Sequence, residues 1–240
     1  MPTVSLDGKR AIVTGASSGI GAATTEALRE AGARVYTGSR REGNLDVRDQ
    51  ASAERFVADA LEALGGLDIL VNNAGLSRGR DPVWDSQESD EREVIETDVL
   101  GLMRMTRLCV PYLIDGGGQI VNLGSVAGIW SYANGSSYVA AKFAVHGYTR
   151  ALRDDLHGKP VRVTNVAPGL VETDFSKVRF KGDETKASAV YADVALGGPL
   201  HAEDVADCIM FALTRPANVN IDEIVLMALA QTSGGNILRT

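Results

Sequence analysis

One short stretch restricts the fold of this chain more than any other. Thr14-Gly15-Ala16-Ser17-Ser18-Gly19-Ile20-Gly21 follows the apolar run Ala11-Ile12-Val13 and opens a helical segment that reaches about Ala31. Glycines let the backbone turn at once from strand to helix and come close to a ligand, and a helix N-terminus attracts phosphate. The spacing is G-x-x-x-G-x-G rather than the G-x-G-x-x-G of many dinucleotide-binding units, so the mechanism carries over and the pattern does not. Gly15, Ser17, Ser18, Gly19, Ile20 and Gly21 are therefore the candidates to cradle a pyrophosphate.

Apolar runs alternate with helical segments along the rest of the chain, which argues for one parallel sheet with helices on both faces. The expected class is α/β, a Rossmann-type doubly wound parallel sheet. At 240 residues the whole chain, 1–240, is read as a single domain with a large core. A net charge of −7 and a pI near 5.0 give no general attraction for nucleic acid or anionic membrane. The start, Met-Pro-Thr-Val-Ser, leaves no room for a signal peptide before the first strand, and no apolar run reaches membrane-spanning length. The expectation is a soluble, cytoplasmic protein. Cys109 and Cys208 both fall in helical segments, so no disulfide framework is expected, and no His/Cys cluster has metal-ligand spacing.

The chemistry is suggested further along. Tyr138 and Lys142 lie four apart in an expected helix over 136–156, so both project from one face. A tyrosine is a poor acid-base at neutral pH because its free pKa is about 10. A neighbouring ammonium favours the phenolate, and Lys142 is expected to bring Tyr138 toward the useful range. Ser125, at the end of the run Gln119-Ile120-Val121-Asn122-Leu123-Gly124, can offer a hydroxyl to the same substrate oxygen. Taken alone, the Tyr/Lys pair reads more readily as a solvated helix face.

Together Thr14-Gly15-x-x-x-Gly19-x-Gly21, Asn72-Asn73-Ala74-Gly75, Ser125, Tyr138-x-x-x-Lys142 and Pro168-Gly169 closely resemble the short-chain dehydrogenase/reductase family, from about Lys9 to Asn236. The resemblance implies a nicotinamide-dependent oxidoreductase acting on CH–OH groups. Tyr138 would transfer the proton, Lys142 would tune it and hold the nicotinamide ribose, and Ser125 would stabilise the developing oxyanion. It places Asn73, Ala74 and Gly75 beside the adenine ribose, and Pro168 and Gly169 near the nicotinamide. Val171 and Thr173 would then hold the carboxamide. His146, four residues past Lys142, has no role in the family and is read as a packing or interface residue.

The strand Arg34-Val35-Tyr36-Thr37-Gly38 ends at Ser39-Arg40-Arg41, where an acidic residue would have bound the ribose 2′-hydroxyl of NAD. Two arginines there suit a 2′-phosphate, so NADP is the expected cofactor, with Arg40 preferred over Arg41. Only Glu42-Gly43-Asn44 then precede Leu45-Asp46-Val47, which is taken as a third strand whose Asp46 and Val47 border the adenine. Three residues cannot form the helix the family commonly places in that gap. In Glu96-Thr97-Asp98-Val99-Leu100-Gly101 the family has asparagine where this chain has Asp98. That asparagine shapes a helix bend, and its carbonyl holds a water in the proton relay. Asp98 keeps the carbonyl, cannot donate as an amide does, and adds negative charge near Lys142. The expected outcome is a working relay with altered pH dependence.

Residues 174–200 are expected to form a substrate lid. Its phrase Phe175-Ser176-Lys177-Val178-Arg179-Phe180-Lys181, with Pro216-Ala217-Asn218-Val219-Asn220-Ile221 and the tail Gln231-Thr232-Ser233-Gly234-Gly235-Asn236, resembles the short-chain 3-hydroxy acid dehydrogenases. That subgroup oxidises serine, allo-threonine and related acids, and its relatives reduce small anionic aldehydes, sulfonated ones included. It has proline near Ala228, where this chain reads Met227-Ala228-Leu229. An anionic substrate in an acidic protein needs a local cation, and Arg179 and Lys181 are the candidates. Trp130 and Tyr132 are expected to line the same pocket. The family associates as dimers and tetramers through the helices corresponding to 91–114 and 136–156, so a homotetramer or homodimer is implied. A carbonyl reductase for a bulkier aldehyde or ketone, and a non-catalytic NADP-binding sensor or scaffold, remain open alternatives.

Overall fold

The computed structural model describes residues 4–240; Met1, Pro2 and Thr3, part of the expected leader-free start, lie outside the described residues. Strand β1 (Arg10–Thr14) runs through the glycine turn into α1 (Gly19–Glu30), and β2 (Arg34–Gly38) is followed by α2 (Gln50–Leu64). Next come β3 (Ile69–Asn72), α3 (Glu88–Ile95), a π-helical turn (Glu96–Gly101) and α4 (Leu102–Gly116). The second half holds β4 (Gly118–Leu123), α5 (Ser136–Asp155), β5 (Val161–Pro168), the short α6 (Phe175–Arg179) and α7 (Glu184–Ala189), α8 (Ala202–Leu213) and β6 (Glu223–Leu226). All neighbouring strands pair in parallel in the order β2-β1-β3-β4-β5-β6.

Alternation along the strands sorts the helices into two layers. Ile12, Leu70, Ile120 and Val163 point to a face covered by α2, α4 and α5, where Phe56, Met105 and Leu152 join them. Ala11, Val13, Ile69, Val71, Val121 and Val166 point to the opposite face, against Leu28 of α1 and Ile209 of α8. Buried on both sides, the strands read as continuous apolar runs. Helix α2 shows how sequence sets these bounds. Its buried residues Ala53, Phe56, Val57, Ala60 and Leu64 follow the helical repeat, Asp49 caps its first turn through Ser52 N, and Gly65 ends it at φ 74°. Burying Phe56 contributes about 1.5–3 kcal/mol.

The expected third strand does not form. After β2 the chain turns back through 40–43, where Gly43 N donates to Arg40 O and Asn44 Oδ1 accepts from Ser39 N. Leu45 and Val47 are buried against α2 and α4, but Asp46 is tied locally, its backbone N–H donating to Ser52 Oγ and its carboxylate paired with Arg48. The resemblance to the family implied a strand here, but the segment has no neighbouring strand edge to pair with. The sheet therefore has six strands.

The order reverses between β1 and β3, so the loops leaving these two strands part to opposite sides and open a crevice at their carboxyl ends, where ligands bind in doubly wound sheets. Residues 174–200 lie over this edge as α6 and α7. They are held by the Val171–Leu200 bridge and by the C-terminal segment, whose Arg239 bridges Val194. Among the described residues no helix is long and apolar enough to cross a membrane.

Candidate active site

The glycine turn is fastened to the exit of β3. Thr14 Oγ1 accepts from the backbone N–H groups of Asn73 and Ala74 at 3.1 and 3.0 Å. Asn73 Nδ2 donates to the carbonyls of Thr14 and Gly15 at 2.9 and 3.0 Å. Gly15 has φ +67°, and a Cβ there would stand 2.8 Å from Ala74 Cα; one on Gly21 would stand 2.4 Å from Gly15 O. A side chain at either position would close the cradle. Ser18 begins α1 without a side-chain cap, and no acidic residue lies in the first turn, so the helix N–H groups are left for an anion. Ser17 sits half-buried in the same turn. These residues fit the pyrophosphate of a dinucleotide.

The adenine side is open and basic. Arg40 and Arg41 follow β2 at the surface; Arg40 Nη1 lies 3.2 Å from Glu93 Oε1, and Arg41 Nη2 lies 3.7 Å from Asp174 Oδ2. Neither is buried in an internal pair, so both can meet a 2′-phosphate. Val47 is buried, and Asp46 is paired with Arg48 at 2.6 Å. The hydrogen-bonded Arg48 holds the Asp46 carboxyl below its ordinary range against the opposing effect of burial.

From the glycine turn a cavity of about 340 Å³ leads to Ser125, Tyr138 and Lys142, which all line it. Ser125 opens a single turn of 3-10 helix at 126–128, its Oγ accepting from Ala127 N at 3.1 Å and donating weakly to Pro168 O at 3.4 Å. Tyr138 and Lys142 are one turn apart on α5, with Lys142 Nζ 5.5 Å from the centre of the Tyr138 ring. Lys142 Nζ donates to Leu123 O at 3.0 Å and lies 3.2 Å from Asp98 Oδ2. An ammonium has three donors, so one N–H is left for a ribose hydroxyl.

Asp98 enters from the π-helical turn, where the resemblance implied a helix bend, and its Oδ1 accepts from Leu76 N at 2.8 Å. Burial pushes the Asp98 carboxyl above its ordinary value, with the Lys142 ammonium and the Leu76 N–H opposing. Burial also works against the Lys142 ammonium, yet the Asp98 carboxylate and Tyr138 more than offset it and hold its pKa above the ordinary one. Lys142 is thus a fixed cation at the floor of the site.

Above Tyr138 lies the segment 174–200, with α6 and α7. Phe175 packs on the Tyr138 ring with 5.5 Å between centroids, and the Arg179 guanidinium sits 5.5 Å from the Tyr138 ring centre and 5.1 Å from that of Phe175. Arg179 Nη2 reaches Tyr132 Oη at 3.5 Å, and its buried Nε has no hydrogen-bond partner. Burial raises the Tyr132 pKa, against the nearby Arg179 charge, so its phenol stays protonated. Arg80 reaches the same place from the loop after β3, 5.5 Å from the Tyr132 ring centre.

Two expected pocket residues stand elsewhere. Lys181, at φ 52°, lies outside the cavity lining and pairs with Asp90 at 2.8 Å. Trp130 is not in the cavity lining; it is part-exposed and its backbone faces Gly234. On the remaining wall, Pro168, Gly169, Val171 and Thr173 line the cavity, with Leu170 N donating to Gln231 Oε1 at 2.8 Å. His146 lies outside it, with Nδ1 3.1 Å from Glu223 Oε1 on β6. Sequence reasoning missed Phe175 and Gln231 as lining residues, Arg80 as a second cation and Thr14 as the clasp. Arg80 stands in no motif, and although Thr14, Phe175 and Gln231 fall within phrases singled out in the sequence, their parts appear only when folding brings distant segments together. Among the described residues no cluster of His, Cys, Asp and Glu could hold a metal ion.

The chain is similar in sequence and fold to known proteins. The pattern of the short chain dehydrogenase family matches residues 43–184, more than half of the chain. The NADP-dependent 3-hydroxy acid dehydrogenase YdfG of Shigella flexneri is 39% identical over 242 residues, covering 93% of this chain and 96% of that protein. Sulfoacetaldehyde reductase 2 of Chromohalobacter salexigens is 39% identical over 240 residues, covering 92% and 94%. Among solved structures, the closed form of serine dehydrogenase complexed with NADP+ superposes with a TM-score of 0.83 at 37% identity, covering 96% of this chain and 99% of that one. A short chain dehydrogenase from Burkholderia cenocepacia in complex with NADP gives 0.81 at 30% identity, covering 97% and 99%. With its parallel sheet, clasped glycine turn and Ser125/Tyr138/Lys142 cluster in one cavity, the chain belongs to the short-chain dehydrogenase family.

Proposed function

We propose that this protein is an NADP-dependent oxidoreductase that interconverts a small 3-hydroxy acid, or a similarly small anionic alcohol, and its carbonyl. NADP, when bound, supplies the hydride chemistry. The chain's own residues do the rest. In the reducing direction Tyr138 gives its phenolic proton to the carbonyl oxygen as the carbon takes the hydride, and Ser125 Oγ donates to the same oxygen as negative charge develops there. The long Ser125–Pro168 hydrogen bond is given up at little cost. Lys142, held by Leu123 O and Asp98, keeps a positive charge beside Tyr138 without moving. The glycine cradle and the α1 N-terminus hold the pyrophosphate, and Arg40, with Arg41 beside it, meets the 2′-phosphate.

The substrate class rests on Arg179. Its guanidinium faces the phenol that handles the proton, and no carboxylate pairs with it among the described residues. A cation partly withdrawn from water and lacking a counter-ion favours an anionic ligand. A substrate whose carboxylate lies on Arg179 and Tyr132 brings its carbonyl or hydroxyl to Tyr138 and Ser125. The related 3-hydroxy acid dehydrogenase and sulfoacetaldehyde reductase bear names consistent with this chemistry. We further read α4 with the π-helical turn before it, and α5, as association faces of a homotetramer or homodimer, supported by Leu100 on that turn and Phe143 on α5, each 47% exposed. A reaction drawing on NADP(H) suits a cytoplasmic compartment.

The test is turnover of NADPH and NADH, and of their oxidised forms, against one panel of 3-hydroxy acids, semialdehydes and neutral aldehydes. Turnover with NADPH and the acids supports the assignment. Turnover confined to neutral carbonyls removes the acid pocket and leaves the oxidoreductase; cofactor binding without turnover would favour a sensor.

A further inference from the structure

Glu93, on α3, stands between the two ends of the proposed site. Its Oε2 accepts from Arg78 Nε at 2.7 Å. Its Oε1 is shared by three guanidinium groups: Arg78 Nη2 at 3.1 Å, Arg40 Nη1 at 3.2 Å and Arg48 Nη1 at 3.3 Å. Arg40 and Arg48 belong to the adenine side, where Arg48 also holds Asp46. Arg78 belongs to the substrate side. Its Nη1 donates to Val178 O at 2.6 Å, and the next residue, Gly79, donates its N–H to Arg179 O at 2.9 Å. The side chain of Glu93 is mostly withdrawn from solvent, and the hydrogen-bonded Arg78, followed by Arg40, keeps its carboxyl below the usual range despite burial.

We propose that Glu93 is a positioning residue that couples the 2′-phosphate subsite to the Arg179 segment of the lid, so that NADP tightens the lid where NAD does not. The proposal rests on the reading of Arg40 as the 2′-phosphate ligand. One carboxylate oxygen serving three guanidinium groups leaves each contact longer than the unshared 2.7 Å bond on Oε2. A 2′-phosphate offers Arg40 a stronger acceptor and draws it from Oε1. Oε1 then serves Arg78 more fully, and Arg78 fixes Val178 O, one residue before Arg179. NAD has no 2′-phosphate and leaves Arg40 where it is. The cofactor preference and the set of the substrate-binding arginine are thereby linked, and linkage makes the effect reciprocal.

The test is backbone amide hydrogen exchange of residues 176–182 in protein saturated with NADP+ or with NAD+, beside the dissociation constants of both cofactors. In the wild-type protein NADP+ slows exchange in this segment about fivefold or more beyond NAD+, the low end of usual coupling strengths. In Glu93→Gln, which keeps an acceptor and loses the charge, that excess disappears. Arg78→Lys, which cannot form the two-pronged bond, loses it too and serves if Glu93→Gln does not fold. Arg40→Ala reports separately on the phosphate reading, by losing the preference for NADP+ in the dissociation constants. Equal lid protection by both cofactors in the wild-type protein, or an excess that survives both Glu93→Gln and Arg78→Lys, overturns the coupling. An unchanged NADP+ preference in Arg40→Ala overturns the phosphate reading instead.

Discussion

Lys142 Nζ lies 3.2 Å from Asp98 Oδ2, and the two side chains retain 8% and 0% of their solvent exposure. A buried ammonium with a carboxylate at this range holds its proton more tightly than a free lysine, which is the raised pKa of Lys142. The stabilisation from that raised pKa is fully present below the ordinary lysine value of 10.5 and is lost as pH climbs through the higher folded value.

Asp98→Asn keeps the Oδ1 acceptor for Leu76 N–H and removes the charge. Burial then acts on Lys142 unopposed by Asp98, so its pKa falls. The alkaline limb of the pH–kcat profile is expected to move down by roughly one unit or more, the usual effect of an opposite charge at this distance. Superimposable profiles for the two proteins would show that Asp98 merely satisfies the backbone at the bend.

Arg179→Ala removes the cation that faces Tyr138 and Tyr132. A hydrogen bond to a charged group contributes about 1.5–3 kcal/mol, so KM for an acid substrate should rise by roughly one to two orders of magnitude. The kinetics of a neutral aldehyde should change little. Lys181→Ala is the control, since Lys181 pairs with Asp90 away from the cavity. Steady-state kinetics with both substrate types separates these cases, and equal losses for acid and neutral substrates would count against the anion site.

Tyr138→Phe preserves the ring packed by Phe175 and deletes the phenolic proton. Its kcat should fall by about 10²–10⁴, the range for loss of a positioned acid-base group, while fluorescence titration should give nearly unchanged NADPH affinity. A variant retaining most of its kcat would move the proton transfer to another residue.

Cys109 is fully buried on α4, and burial pushes its thiol up to about 12, leaving almost no thiolate at neutral pH. Its alkylation by iodoacetamide should follow global unfolding alone, whereas the half-buried Cys208 on α8 should react first. Mass mapping after timed labelling at pH 8 distinguishes them. Early modification of Cys109 in folded protein would point to local opening of α4.

The glycine turn and the Tyr138/Lys142 pair were legible because each is local, a strand-to-helix junction and one turn of one helix, while Ser125 stood out at the end of its apolar run. The doubly wound layering was legible from alternating apolar and helical segments. Leu45-Asp46-Val47 was misread because it was placed by resemblance, while strand pairing depends on a neighbour elsewhere in the chain. Lys181 and Arg179 differ by two positions and looked equivalent in sequence. A positive φ at Lys181 sends one outward while α6 carries the other over Tyr138. Arg80 and Phe175 became visible only when loops far apart in sequence closed over one cavity.

The clasp between Thr14 and Asn73 has a consequence for the life of the chain on the ribosome. Its bonds span 58 to 60 residues, so the glycine turn is completed from outside its own βαβ unit. A nascent chain that has exposed β1, α1 and β2 carries every phosphate-facing glycine but no brace for them. Cofactor capture must await emergence of β3.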